Sequence, residues 1–170
     1  MTPRRATTRP AKPAGHGTAA GRARAGKAPP HVVVHIDGGS RGNPGPAAAG
    51  VVVSRPDGTV LHEAGLYLGQ ATNNVAEYRG LLAGLEAAAA LGARQVEVLS
   101  DSELLVRQML GQYRVKNPGL RPLYEQACTL AERFAACTFR HVRREANRRA
   151  DELVNRTLDR QPHVKGPPCR

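Results

Sequence analysis

The chain has 170 residues, with 25 Lys and Arg against 14 Asp and Glu, a formal net charge of +11 and a pI near 10.6. That length suits one domain with its own core, and the charge favours a polyanionic partner. Aromatic content of 4% without tryptophan argues against gripping single strands by base stacking, and no apolar run approaches the roughly 20 residues of a membrane span.

Residues 1–30 carry seven bases (Arg4, Arg5, Arg9, Lys12, Arg22, Arg24 and Lys27) and no acid. The rest of that segment is mostly Ala, Gly, Pro and Thr, which cannot bury enough apolar surface to offset ordering entropy. A disordered basic tail is expected there, either tethering nucleic acid electrostatically or solubilising the chain. It lacks the apolar core of a secretory signal. Without its seven bases, 18 remain against 14 acids, so the folded part carries only about +4. Residues 161–170, with Pro162, Pro167 and Pro168, are expected to form a flexible C-terminal tail, leaving 31–160 as the domain.

His31–Ile36 is a β-branched run that reads as a buried strand ending at Asp37. Gly38–Pro46 is dense in Gly and Pro and reads as a turn. Ala47–Ser54 and Thr59–Leu68 read as strands joined by the hairpin turn Arg55–Gly58. Together these three strands form an antiparallel meander. Asn74–Leu91 is helical, with Leu81, Leu82, Leu85 and Ala88 or Ala89 on one face, and Gly92 ends it. Gln95–Ser100 is a fourth strand, followed by a helix over residues 101–110. Pro118 opens a helix running to about Phe134. Cys137–Val142 alternates as a fifth strand, and Ala146–Leu158 is a final helix. This order, β-β-β-α-β-α-α-β-α, predicts an α/β fold with a five-stranded mixed sheet flanked by helices. The three cysteines, Cys128, Cys137 and Cys169, show no C-x-x-C spacing. Neither a zinc site nor a disulfide framework is indicated, and a cytoplasmic setting is simplest.

Four acids stand at the junctions of these elements, and each has a plain structural alternative. Asp37 ends a strand where α/β ligand sites gather, or is a turn aspartate bonding its own backbone. Glu77 has capping-box spacing from Asn74. Asp101 is also a natural helix cap, and Asp151 sits among arginines as a salt-bridge partner. Their combination points further. Three strand-to-helix or strand-to-turn junctions feed one end of the sheet. Carboxylates that repel one another can share a pocket if divalent cations neutralise them. A site with two cations roughly 3.5–4 Å apart needs about this number of acids. Gly38–Gly45 lacks both G-x-G-x-x-G and a Gly-Lys-Ser/Thr ending, so no nucleotide cofactor is expected. Its glycines either admit a nucleic-acid backbone or simply make a tight connection. Asn73 and Asn74 offer amides suited to phosphate or sugar.

The string Asp37–Pro46, D-G-G-S-R-G-N-P-G-P, resembles the first motif of type 1 ribonuclease H. T-N-N-V-A-E (Thr72–Glu77), S-D-S (Ser100–Ser102) and N-R-R-A-D (Asn147–Asp151) resemble the second, third and fourth. The resemblance covers about residues 31–159. It implies the RNase H-like fold and an endonuclease that cuts the RNA strand of an RNA–DNA hybrid, leaving 5′-phosphate and 3′-hydroxyl ends. It also implies two Mg²⁺ or Mn²⁺ ions held by Asp37, Glu77, Asp101 and Asp151, which are both the catalytic and the metal set. Hybrid contacts are implied at Gly38, Ser40, Asn43, Thr72, Asn73, Asn74 and Asn147, with RNA selected through its 2′-hydroxyl.

Two departures mark a short-loop form. The stretch His141–Asn147 leaves no counterpart to the family's loop histidine. His141 reads as structural, and Glu145 or bulk water is left to take over proton transfer or product release. Gly111–Leu120 is too short for the family's basic handle, with Arg114, Lys116 and the N-terminal tail available to compensate. A monomer without membrane contact is expected. The competing readings are a non-catalytic hybrid- or duplex-binding module and a transposase-type or exonuclease-type nuclease on the same fold, which lacks the D-G-G-S-R-G-N-P-G-P string.

Overall fold

In the computed structural model, which describes residues 30–161, Val32, Val34 and Ile36 are buried while their neighbours are half-buried. This period of two makes His31–Ser40 a strand (β1) with one face fully covered. Apart from Pro30 and Gln161, the two expected tails lie outside the described residues. β2 (Gly45–Ser54) and β3 (Val60–Ala71) follow, then α1 (Asn73–Ala90), β4 (Gln95–Ser100), α2 (Glu103–Met109), α3 (Arg121–Ala131), β5 (Ala136–His141), a 3₁₀ turn (Arg144–Asn147) and α4 (Arg148–Arg160). The five strands form one mixed sheet in the order β3-β2-β1-β4-β5. The meander is antiparallel, and β4 and β5 run parallel to β1. The expected α/β architecture and element order are therefore present.

Element ends differ from the sequence reading for physical reasons. β1 continues through Gly38, Gly39 and Ser40, which pair with Ala49, Ala48 and Ala47. The backbone ladder thus extends into the glycine-rich segment, and the expected turn shrinks to Arg41–Pro44. The cap of α1 is Thr72, whose Oγ1 accepts from the Val75 amide at 3.3 Å. The capping box read from Asn74 and Glu77 is not formed. α3 starts at Arg121 with Pro122 in its first turn, not at Pro118. The Asn117 Oδ1 accepts from the Gly119 amide, holding the preceding residues in a turn. At the other end of α1, Gly92 adopts φ 75°. Its amide donates to Ala89 and that of Ala93 to Ala88, a Schellman ending that only a residue tolerant of positive φ allows at low cost.

The two faces of the sheet are built differently. On one, Leu81, Leu85 and Ala88 of α1 join Val32, Val34, Ile36, Val51, Val53 and Val98 in the main core, with α3 behind. On the other, α4 places Val154 and Leu158 on Ala48. There the strands offer small residues. A Cβ at Gly50 would stand 2.2 Å from the Ala150 carbonyl oxygen, and one at Gly65 2.0 Å from Thr157 Oγ1. Glycine at these positions lets α4 lie against the sheet backbone.

Candidate active site

Asp37 follows Ile36 on β1 and pairs with Gly50, so it faces the α4 side. Next to it, Gly38 has no room for a side chain. A Cβ there would meet the backbone of Ala76 and Glu77 at 2.3 Å. The first turns of α1 therefore rest directly on β1, and this approach carries Glu77 to Asp37. Asp101 leaves β4 one residue beyond Ser100, which pairs with Ile36. Asp151 lies in the first turn of α4, beside the Ala150 carbonyl that Gly50 admits. All four acids line one open cleft of about 380 Å³, with Gly39, Ser40, Arg41, Asn73, Arg144 and Asn155 among the other walls.

The cleft is electrostatically loaded. Burial pushes the Asp37 carboxyl up to about 7, helped by the charges of Asp101, Asp151 and Glu77. Burial likewise raises Glu77 to about 7, although the Ser102 hydroxyl donates to its Oε2 at 2.8 Å. The same Ser102 oxygen accepts from the Leu105 amide and caps α2. The cap role considered for Asp101 thus belongs to Ser102, and Asp101 is left free to face the cleft. Arg144 donates to Asp151 Oδ1 at 3.3 Å, and Asn155 donates to Asp151 Oδ2 at the same distance.

Asn147 is enclosed, at 1% exposure. Its Nδ2 donates to the Ile36 carbonyl at 2.8 Å and reaches Asp101 Oδ1 at 3.5 Å, while its buried Oδ1 has no partner. A nucleic-acid contact was expected at Asn147, and the structure shows its amide turned inward. It is a strut joining β1, Asp101 and the start of α4. At Gly38, where a nucleic-acid contact was also expected, the missing side chain makes room for the backbone of α1. Thr72 caps α1, and the Ser40 hydroxyl donates to the Ala71 carbonyl at 2.9 Å. The Ser40 amide donates to Asn73 Oδ1 at 2.8 Å, and the Asn73 amide donates to Asn43 Oδ1 at 3.2 Å. These bonds lock the β1–β2 turn to the start of α1. Asn43, Asn73 and Asn74 remain exposed at the surface. His141 is the last residue of β5, with Nε2 3.2 Å from the Asp101 carbonyl.

Comparison with known proteins matches residues 35–157 to the reverse transcriptase-like family. The N-terminal RNase H domain of Rv2228c from Mycobacterium tuberculosis, solved as a fusion with maltose-binding protein, superimposes with a TM-score of 0.74 at 52% identity. The match covers 76% of this chain and 94% of that one. RNase H1 from Halobacterium salinarum superimposes with a TM-score of 0.75 at 44% identity, covering 77% and 99%. The chain belongs to the ribonuclease H family. A further family member, LC11-RNase H1 in complex with an RNA/DNA hybrid, gives a TM-score of 0.72 at 44% identity, covering 75% and 96%. The full-length Rv2228c, called a bifunctional protein, is 53% identical over 129 residues, and the match spans only 35% of its length.

Within this ribonuclease H domain, no three Asp, Glu, His or Cys side chains among the described residues are gathered tightly enough to ligate one ion. Ser102 holds Glu77, while Arg144 and Asn155 both hold Asp151. The donor set still suits hard divalent cations, being all carboxylate oxygen. Its raised carboxyls are those that a cation would return to the charged form. Sequence reading missed Arg144 and Asn155 as walls of the cleft. Arg144 was hidden in the basic stretch from Arg140 to Arg149, which reads as a solvated face. Only the 3₁₀ turn separates it, and its contact with Asp151 spans seven residues.

Proposed function

We propose that this domain is a metal-dependent endonuclease of the short-loop ribonuclease H type, hydrolysing the RNA strand of RNA–DNA hybrids to leave 5′-phosphate and 3′-hydroxyl ends. The observation that carries this reading is the meeting of four carboxylates from four separate elements in one cleft of a strongly basic chain. Asp37, Glu77, Asp101 and Asp151 would hold two Mg²⁺ or Mn²⁺ ions, which when bound activate a water nucleophile and stabilise charge on the leaving 3′ oxygen. Around them, Ser102 orients Glu77, Asn147 orients Asp101, and Asn155 orients Asp151. Asn43, Asn73 and Asn74 stand on the rim as the amides to contact sugar and phosphate. The sequence similarity to a family member solved with an RNA/DNA hybrid supports that substrate.

Among the described residues no imidazole lines the cleft, and water and Glu145 on the adjoining turn are assigned the proton traffic. Cys128 and Cys137 are free thiols, and no described helix is long and apolar enough to cross a membrane. We take the domain to act as a monomer in the cytoplasm. The test is a labelled RNA–DNA hybrid incubated with Mg²⁺ or Mn²⁺, with and without chelator, beside pure RNA and DNA duplexes. Cation-dependent cutting of the hybrid's RNA alone is expected. Binding without cleavage under ample cation would identify a non-catalytic module instead, and cutting of DNA as readily as RNA would point to the transposase- or exonuclease-type reading.

A further inference from the structure

Arg144 is the one cation bonded to any of the four acids among the described residues. Its side chain is 75% exposed, and that of Asp151 is 26% exposed. Among the described residues only Asp151 holds the guanidinium, through a single contact at 3.3 Å rather than a bidentate fork. An exposed pair of this kind is weak. The charges of Asp101 and Asp37 also favour it, so the arginine partly neutralises the whole cleft. A divalent cation ligated by Asp151 competes for the same carboxylate oxygens. Once displaced, the guanidinium is left on the wall of the cleft that the four acids line, within reach of a phosphate brought to them. Planar guanidinium is well matched to phosphate.

Resting on the ribonuclease reading, we infer that Arg144 is a displaceable counter-cation. It screens the acidic cleft when no divalent cation is bound, and exchanges Asp151 for a backbone phosphate when cation and nucleic acid enter. It is a positioning and binding group rather than a base or nucleophile. It stands on a short 3₁₀ turn between β5 and α4, so its swing requires no movement of either element.

The test uses the full chain. Calorimetric titration with MnCl₂, without nucleic acid, compares wild type, Arg144→Ala, Arg144→Lys and Asp101→Asn. Arg144→Ala is expected to bind Mn²⁺ about 2- to 5-fold more tightly, the worth of a partly exposed ion pair, and Arg144→Lys to stay closer to wild type. In parallel, KM for a labelled hybrid is measured against KCl concentration. Loss of one phosphate contact should raise KM in Arg144→Ala and lower the slope of log KM on log salt by about 0.9. Equal or weaker Mn²⁺ affinity in the alanine variant, or an unchanged salt slope, overturns the role of Arg144 while leaving the nuclease reading intact. A wild type that binds no Mn²⁺, or an Asp101→Asn variant that binds it equally well, overturns both. Circular dichroism checks that the variants are folded.

Discussion

The two faces of the sheet solve different problems with different residues. Under α1, large branched side chains interlock, and Leu81, Leu85, Val34 and Val98 are fully buried. Under α4, the sheet offers Ala48, Gly50 and Gly65, and the helix comes close enough for its Ala150 carbonyl to reach the strand at Gly50. The first face holds the fold together through apolar area removed from water. The second gives up much of that area and gains proximity, bringing Asp151 to the stretch of β1 where Asp37 stands. The lesson is that glycine and alanine on this face set the reach of the carboxylates, while leucine and valine on the other set stability.

Substitutions can separate these roles. The largest effect is expected for Asp101→Asn, which removes one charge from the cleft and leaves both faces alone. Its kcat on a hybrid should fall by about 10³-fold or more, the upper scale for deleting a charge-stabilising group, with an unchanged melting temperature. Full activity in that variant would remove the metal role assigned to the four acids. Next, Gly50→Val should push α4 away from the sheet, because even a Cβ would sit 2.2 Å from the Ala150 carbonyl oxygen. Overpacking of this kind costs about 1–3 kcal/mol, and a displacement near 1 Å can cost about 10²-fold in rate. Activity per folded molecule should therefore drop far more than denaturant stability does. Equal losses in both would show that the α4 face is ordinary core.

Leu85→Ala is the mirror experiment. It should cost about 2–5 kcal/mol in urea unfolding, yet leave kcat per folded molecule within a small factor of wild type. The smallest effect concerns pH. Asp37 and Glu77 titrate near 7 in the fold against ordinary values of 3.8 and 4.5. Folded values above the unfolded ones mean that the protonated carboxyls stabilise the cation-free protein. That contribution is full below 3.8 and is lost as pH rises through about 7. Melting temperature in chelator should therefore fall between pH 5 and pH 8, by an amount that MgCl₂ largely restores at pH 8 and scarcely alters at pH 5. A stabilisation by Mg²⁺ that is the same at both pH values counts against shared ligation by these two acids.

Much of this was legible in the chain itself. His31–Ile36 is legible as a strand from its β-branched run, and Leu81, Leu82, Leu85 and Ala88 recur because a helix has a period of 3.6. Local periodicity therefore determined the element order, and the spacing of Asp37, Glu77, Asp101 and Asp151 along it placed all four at junctions. Other features depended on who approaches whom. Gly38 looks like a turn glycine and Gly50 like any strand residue until α1 and α4 are seen resting on them. Asn147 looks like a surface amide until it is found enclosed between Ile36 and Asp101. Thr72 took the cap that Asn74 and Glu77 were spaced to make, which left the Glu77 carboxylate to Ser102. Arg144 came out of a run of surface charge because one 3₁₀ turn aims it at Asp151. Periodicity is a property of neighbours in sequence and survives without a fold. Close approach, burial of a single amide and the pairing of one charge among many arise between distant segments, and only their packing decides them.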